Sequence, residues 1–127
     1  MTERIFTVLS REKIAFDVYK LILEGDTDAV SAPGQFVNIK LNGLFLRRPI
    51  SVCDYDKDSL TLIYKVVGVG TEKMAGLSPG DKLDILVGLG NGYDMSVPFD
   101  KPLLIGGGVG VPPLYALAKR LIEFGKT

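Results

Sequence analysis

Up to about residue 100 the chain alternates apolar and polar positions in short runs broken by turn residues, the period-two pattern of half-buried strands. Six runs carry it: Ile5 to Ser10, Ile14 to Glu24, Gln35 to Leu41, Pro49 to Tyr55, Ser59 to Val67 and Lys82 to Val87. In the fifth, Leu60, Leu62, Tyr64 and Val66 share one face, while Thr61, Ile63 and Lys65 share the other. The second is less regular. Ile14, Phe16 and Val18 lie on one parity and Tyr19, Leu21 and Leu23 on the other, which predicts a bulge near Val18. Turn clusters fall between the runs at Ala32-Pro33-Gly34, Asn42-Gly43, Asp56-Lys57-Asp58, Ser78-Pro79-Gly80-Asp81 and Asn91-Gly92. One short helix interrupts them, from Glu72 to about Gly76, with Thr71 placed to cap its first turn. Short strands at this spacing favour a small antiparallel barrel over a sandwich.

After Pro98 the pattern changes. Leu103 to Ile105 read as a short apolar strand, glycines follow, and Pro112-Pro113 suit a helix start. Leu114, Leu117, Leu121 and Phe124 then recur at helical spacing. This is a strand, loop and helix unit of the parallel-sheet type, without the neighbouring strands that such a sheet needs. A boundary near residue 100 is expected, with one domain over 1–100 and a second, incomplete one over 101–127. The strand Leu103 to Ile105 and the face Leu114, Leu117, Leu121 and Phe124 would be bare on a monomer, which predicts self-association.

Composition narrows the function classes. Lysine plus arginine numbers 15 and aspartate plus glutamate 15, so no net field favours nucleic acid or an anionic membrane. There is one cysteine, Cys53, and no histidine, which excludes an internal disulfide, a multi-thiolate metal site and imidazole catalysis. The stretch Pro102 to Ala118 is long and uncharged, but its glycines and prolines would leave backbone groups unpaired in lipid. The charged amino terminus has no room for a signal-peptide core, so a cytoplasmic, reducing setting is expected.

Three stretches carry candidate chemistry. In Arg47-Arg48-Pro49-Ile50-Ser51 an arginine fork suits a phosphate and a serine hydroxyl suits a ring heteroatom, about 10 Å apart along a strand. Arg48 and Ser51 would face opposite sides of a regular strand, so the ligand would have to run along a barrel edge; a solvated arginine pair fits the same spacing. Val67-Gly68-Val69-Gly70-Thr71 offers a close backbone approach for a diphosphate at Gly70 and Thr71, or a plain strand-to-helix turn. Gly106-Gly107-Gly108-Val109-Gly110 is a phosphate-compatible loop that lacks the downstream acidic residue of a dinucleotide fingerprint. Cys53 shares the parity of Ser51 and reads as a structural thiol, Tyr64 and Phe36 as core, and Tyr93 as a loop residue able to stack on a ring. A ligand site requires Arg48 and Thr71 to face one groove.

Taken in order, five stretches resemble the electron transfer subunits of B-type dihydroorotate dehydrogenases, within the ferredoxin-NADP reductase superfamily. They are Pro33-Gly34-Gln35-Phe36, Arg47 to Ser51, Tyr64 to Thr71, Leu89-Gly90-Asn91-Gly92-Tyr93 and Gly106 to Tyr115. The resemblance implies a mainly β fold: a six-stranded antiparallel Greek-key flavin-binding barrel, then the opening of an α/β nucleotide-binding domain, truncated here. It implies FAD as cofactor, with Arg48, Pro49, Ile50 and Ser51 at the flavin and its phosphate. Lys65, Val66 and Val67 would run beside the flavin, and Gly70 and Thr71 form the diphosphate loop. Gly106, Gly107, Gly108, Gly110 and Pro112 match the nucleotide loop, so NAD would be incompletely bound. No residue here is implied as catalytic. The implied role is passing electrons from dihydroorotate oxidation, by a catalytic partner subunit, to NAD in pyrimidine biosynthesis. The family's iron–sulfur cluster needs four thiolates, and this chain has one cysteine. Two alternatives are the flavin subunit of another reductase of the superfamily and a non-catalytic barrel used for assembly.

Overall fold

The computed structural model describes residues 2–41, 47–66, 68–93, 103–104 and 112–123. Its elements are β1 (Thr2–Ala15), β2 (Val18–Glu24), β3 (Phe36–Lys40), β4 (Arg48–Tyr55), β5 (Ser59–Lys65), α1 (Val69–Ala75), β6 (Lys82–Leu89) and α2 (Pro112–Glu123). The strands close into an antiparallel barrel in the order β1-β2-β5-β4-β3-β6. The chain crosses the barrel from β2 to β3, and β5 returns to β2, which is Greek-key connectivity.

Alternation sets the core. Phe6, Val8, Leu21, Leu23, Leu60 and Leu62 point inward and are at most 1% exposed, and Met74 of α1 joins the same cluster. The expected faces of β5 hold: Leu60, Leu62 and Tyr64 are buried while Lys65 is exposed. Each such aliphatic side chain contributes roughly 1.5–3 kcal/mol on burial, which is the main force holding the barrel closed.

β1 is longer than its sequence pattern suggests, because one strand serves two partners. Its first half pairs with β6, Thr2 opposite Val87, and its second half with β2, Lys13 opposite Tyr19. The register shifts between Val8 and Ser10, where Leu9 is the extra residue that lets the strand bend round the barrel. The bulge expected near Val18 is present as a register shift between Lys13 and Ala15, where Ile14 is the extra residue opposite Val18 and Tyr19, and a hairpin turn lies beside it. Ala15 pairs with Val18 across Phe16 and Asp17, and Asp17 takes φ +54°, a region that aspartate tolerates. No Gly or Asn marks this turn, so the apolar run reads through it. Phe16 at the tip is 82% exposed, with the Lys13 ammonium over its ring at 5.9 Å from the centroid.

The other turns follow local chemistry. The Asp56 carboxylate accepts from the Asp58 and Ser59 N–H groups at 3.0 and 2.8 Å and from the Ser59 hydroxyl at 2.9 Å. Asp81 accepts from the Ser78 N–H at 2.9 Å, beside Gly80 at φ +93°. The turn expected at Asn42-Gly43 lies outside the described residues.

α1 begins earlier than the sequence suggests, so Thr71 lies inside it and is not its cap. The Thr71 hydroxyl accepts from the Gly68 N–H and donates to the Gly68 carbonyl, both at 3.2 Å. α2 packs against β4, burying Ala116, Leu117 and Leu121. That corrects the bare face expected of this helix: Leu117 and Leu121 are covered within the chain, Leu114 is half-buried, and Phe124 lies outside the described residues. Leu103 and Leu104 carry no strand, and Leu103 is exposed; Ile105 lies outside the description. Among the described residues no helix is long and apolar enough to cross a membrane.

Candidate functional site

The two adjacent arginines have different work. Arg47 is a structural tie: its guanidinium donates to the Asp84 carboxylate at 3.1 Å, the Asp84 carbonyl at 3.2 Å, Glu3 at 3.3 Å and the Asn38 carbonyl at 3.4 Å. One side chain thus joins β1, β3 and β6, with 22% of it exposed. Arg48, next along the chain, enters β4 and lines a cleft instead.

That cleft has a volume of about 380 Å³ and is lined by Arg48, Pro49, Ile50, Ser51, Ile63, Tyr64, Lys65, Thr71 and Pro113. Its origin lies in the strand register. β4 pairs with β5 only from Val52 opposite Leu62 to Tyr55 opposite Leu60, with an extra residue at Cys53. Toward its start β4 pairs with β3, Phe36 opposite Ser51 and Ile39 opposite Arg48. The last residues of β5 pair with β2, Lys20 opposite Ile63 and Val18 opposite Lys65. Arg48 to Ser51 and Ile63 to Lys65 therefore have no ladder between them, and the two strands splay apart. Their facing edges present backbone donors and acceptors along the cleft walls.

The splay also resolves the parity of Arg48 and Ser51. On a closed sheet they would lie on opposite faces; at an open seam both faces border the gap, and both residues line it. Arg48 and Thr71 share this one groove, the convergence that a ligand site requires. Val66 follows immediately after Lys65, and its N–H donates to the Asp17 carbonyl at 2.7 Å, tying the hairpin tip beside the cleft mouth. Gly70 lies in the first turn of α1. Val67, Gly106, Gly107, Gly108 and Gly110 fall outside the described residues. Pro112 opens α2 and is buried.

Tyr64 is both core and cleft lining. It is 2% exposed and stacks on Tyr19 with centroids 5.9 Å apart. Among the described residues its hydroxyl has no hydrogen-bond partner, and burial pushes its pKa up to about 12. Ile63 and Pro113 are wall residues that the sequence did not single out. Ile63 sat in a regular strand pattern, and Pro113 is fifty positions away, so nothing local pointed to either.

The Pro33-Gly34-Gln35-Phe36 and Leu89 to Tyr93 stretches do not line the cleft; they hold each other. Gln35 donates to the Gly90 carbonyl at 3.1 Å and accepts from the Ser31 N–H at 2.8 Å, and the Tyr93 N–H donates to the Pro33 carbonyl at 2.8 Å. Cys53 is buried, as a structural thiol should be, on the strand against which α2 packs. Burial and the Asp54 carboxylate push its pKa up. Among the described residues no group of acidic, cysteine or histidine side chains could hold a metal.

No family model matches the chain. Curated relatives do. It is 46% identical over 131 residues to the dihydroorotate dehydrogenase B (NAD(+)) electron transfer subunit of Listeria innocua, covering 98% of this chain and 52% of that protein. The subunit of the same description from Geobacillus is 41% identical over 133 residues, with 98% of this chain and 52% of that protein covered. The chain thus spans about half the length of the curated relatives it matches. Among solved structures, an NADH-dependent reduced ferredoxin-NADP oxidoreductase superposes with a TM-score of 0.88 at 32% identity, over 96% of this chain and 45% of that one. Phthalate dioxygenase reductase shares the fold, with a TM-score of 0.81 at 19% identity over 96% of this chain and 40% of that one. Over the length it spans, the chain is similar in sequence to the dihydroorotate dehydrogenase B electron transfer subunits and shares the barrel fold of the ferredoxin-NADP oxidoreductase.

Proposed function

We propose that the cleft between the splayed ends of β4 and β5 holds FAD, and that the chain is the flavin-holding part of an electron transfer subunit. The observation that carries this reading is the meeting of Arg48 and Thr71, from different elements, in one groove with Ser51 and Lys65. The residues suit such a ligand. The walls of Pro49, Ile50, Ile63 and Pro113 are apolar, the volume is in the range of ligand sites, and open strand edges flank them. Tyr64, whose buried hydroxyl has no hydrogen-bond partner among the described residues, also lines the cleft and supports a place for a polar ligand.

Each residue then has a task. Arg48 holds phosphate with a planar fork of donors, and Gly70 and Thr71 border the diphosphate at the start of α1. Ser51 would hydrogen-bond the ring, Pro49 and Ile50 would orient it, and Lys65 and Val66 would run along its side, with Val67 assigned there by the resemblance and outside the described residues. When bound, the flavin supplies reversible one- and two-electron chemistry; the chain contributes binding, orientation and exclusion of water. The electrons come from dihydroorotate oxidised by a partner subunit and go to NAD, in pyrimidine synthesis in the cytoplasm. The relatives' description supports that assignment. Gly106, Gly107, Gly108, Gly110 and Pro112 would open a nucleotide-binding domain, with the boundary near residue 100.

The test is direct. The purified chain should take up FAD, with flavin absorbance retained through gel filtration and flavin fluorescence quenched on titration. A colourless protein that leaves added FAD fluorescence unchanged overturns the reading.

A further inference from the structure

β4 carries two sites on one strand. Arg48 to Ser51 line the cleft, and Asp54 and Tyr55, a few residues on, hold α2. Lys119 donates to both carboxylate oxygens of Asp54, at 3.0 and 3.1 Å, and Arg120 donates to the Tyr55 hydroxyl at 3.2 Å. The other end of the same helix returns to the cleft, where Pro113 is a wall. From Pro113 to Lys119 the helix runs about 9 Å, a stiff rod short enough to carry a displacement from one end to the other.

Apolar contact alone would not set where that rod stops. Ala116, Leu117 and Leu121 are buried against the barrel, but hydrophobic attraction is non-directional and tolerates a shift along the strand. At its edge the seat opens into a shallow groove of about 120 Å³ lined by Asp54, Tyr55, Ala116, Lys119, Arg120 and Glu123, so the contact there is polar and not close apolar packing. Directional contacts must fix the register. We propose that Asp54 and Lys119, aided by Arg120 on Tyr55, are positioning residues that hold the Pro113 wall of the cleft, so that docking of α2 and retention of the cofactor are coupled. The inference rests on the FAD reading above. Coupling of this kind is reciprocal: what seats the helix tightens the ligand, and the ligand seats the helix.

Cys53 gives an independent readout of the seat, because it is 6% exposed, next to Asp54 on the strand against which α2 packs. Two measurements are made on the full chain: FAD affinity by fluorescence titration, and the rate at which Cys53 reacts with an aromatic disulfide reagent, with and without saturating FAD. Lys119→Asp, which sets two carboxylates against each other, should weaken FAD binding about three- to ten-fold. The Asp54→Lys/Lys119→Asp double variant should recover most of that loss. Lys119→Gln, which only removes the pair, should weaken binding about two-fold and guards against misfolding of the reversed variant.

Cys53 should react faster in both single variants and slower when FAD is bound. Loss of the Lys119 charge by itself would slow the thiol, since that cation holds the Cys53 pKa down, so acceleration reports opening of the seat. Unchanged FAD affinity and unchanged Cys53 reactivity in Lys119→Asp overturn the coupling while leaving the FAD reading intact. A double variant as weak as the single one also overturns it. Failure of the wild-type chain to bind FAD removes both.

Discussion

Arg47 and Arg48 show how far one residue step can change a side chain's work. Both precede the same proline, yet Arg47 is held by Asp84 and Glu3 while Arg48 lines the cleft. Their alanine variants should separate. Arg48→Ala should weaken FAD binding about ten- to hundred-fold, the worth of a charge-assisted hydrogen-bond pair. Arg47→Ala should leave affinity near wild type and destabilise the fold by about 1–3 kcal/mol, since it strands the half-buried Asp84. Titration and thermal unfolding of the two proteins decide this. Tyr64 supplies a pH prediction. Its folded pKa, about 12, lies above the ordinary tyrosine value near 10, so the buried neutral hydroxyl favours the fold. That contribution is whole below pH 10 and is lost as pH rises from there through about 12. Denaturant midpoints of wild type and Tyr64→Phe should therefore diverge across this window, the wild type falling more steeply.

At the scale of elements, the decisive features are irregularities. β6 changes register against β3 between Phe36 and Asn38, and Gly88 there takes φ +75°. A methyl group at Gly88 would also meet the Ala29 carbonyl oxygen at 2.8 Å. Gly88→Ala should cost about 1–3 kcal/mol from the strained φ alone, measured as a lowered denaturant midpoint. The end of the β4–β5 ladder has the larger consequence: one pair beyond the extra residue at Cys53, Val52 opposite Leu62 is the last, and the strands part to form the cleft. The period-two pattern located β4 and β5 and the faces of β5, yet no local signal marked where their pairing stops. For the same reason the hairpin at Phe16-Asp17 left no local mark: Asp17 tolerates the turn, but it stands alone in a run whose apolar positions continue on both sides.

For the whole molecule, α2 is held less firmly than the barrel strands. It rests on one strand through a small apolar face and a few polar contacts, whereas β1, β2 and β5 are laddered on both sides. Hydrogen exchange should show the α2 amides opening well before those of β2 and β5, and FAD should slow the α2 amides selectively. Raising the pH should loosen the same helix. The hydrogen bond to Asp54 raises the Lys119 pKa above its ordinary value of about 10.4, so the pair is intact below that and is lost as pH climbs through the raised value.

What the sequence determined by itself was local: which residues alternate, where the turns with Gly, Pro or Asp fall, which stretches carry phosphate-compatible chemistry, and that histidine and multi-thiolate mechanisms are absent. These follow from propensity and period, which act over a few residues. The tertiary structure alone decided that Arg47 ties three strands, that Ile63 and Pro113 complete the walls of the cleft, and that Leu117 and Leu121 are covered by β4. Those outcomes depend on strand register and barrel closure, which bring together residues far apart in the chain and leave no local trace in its pattern.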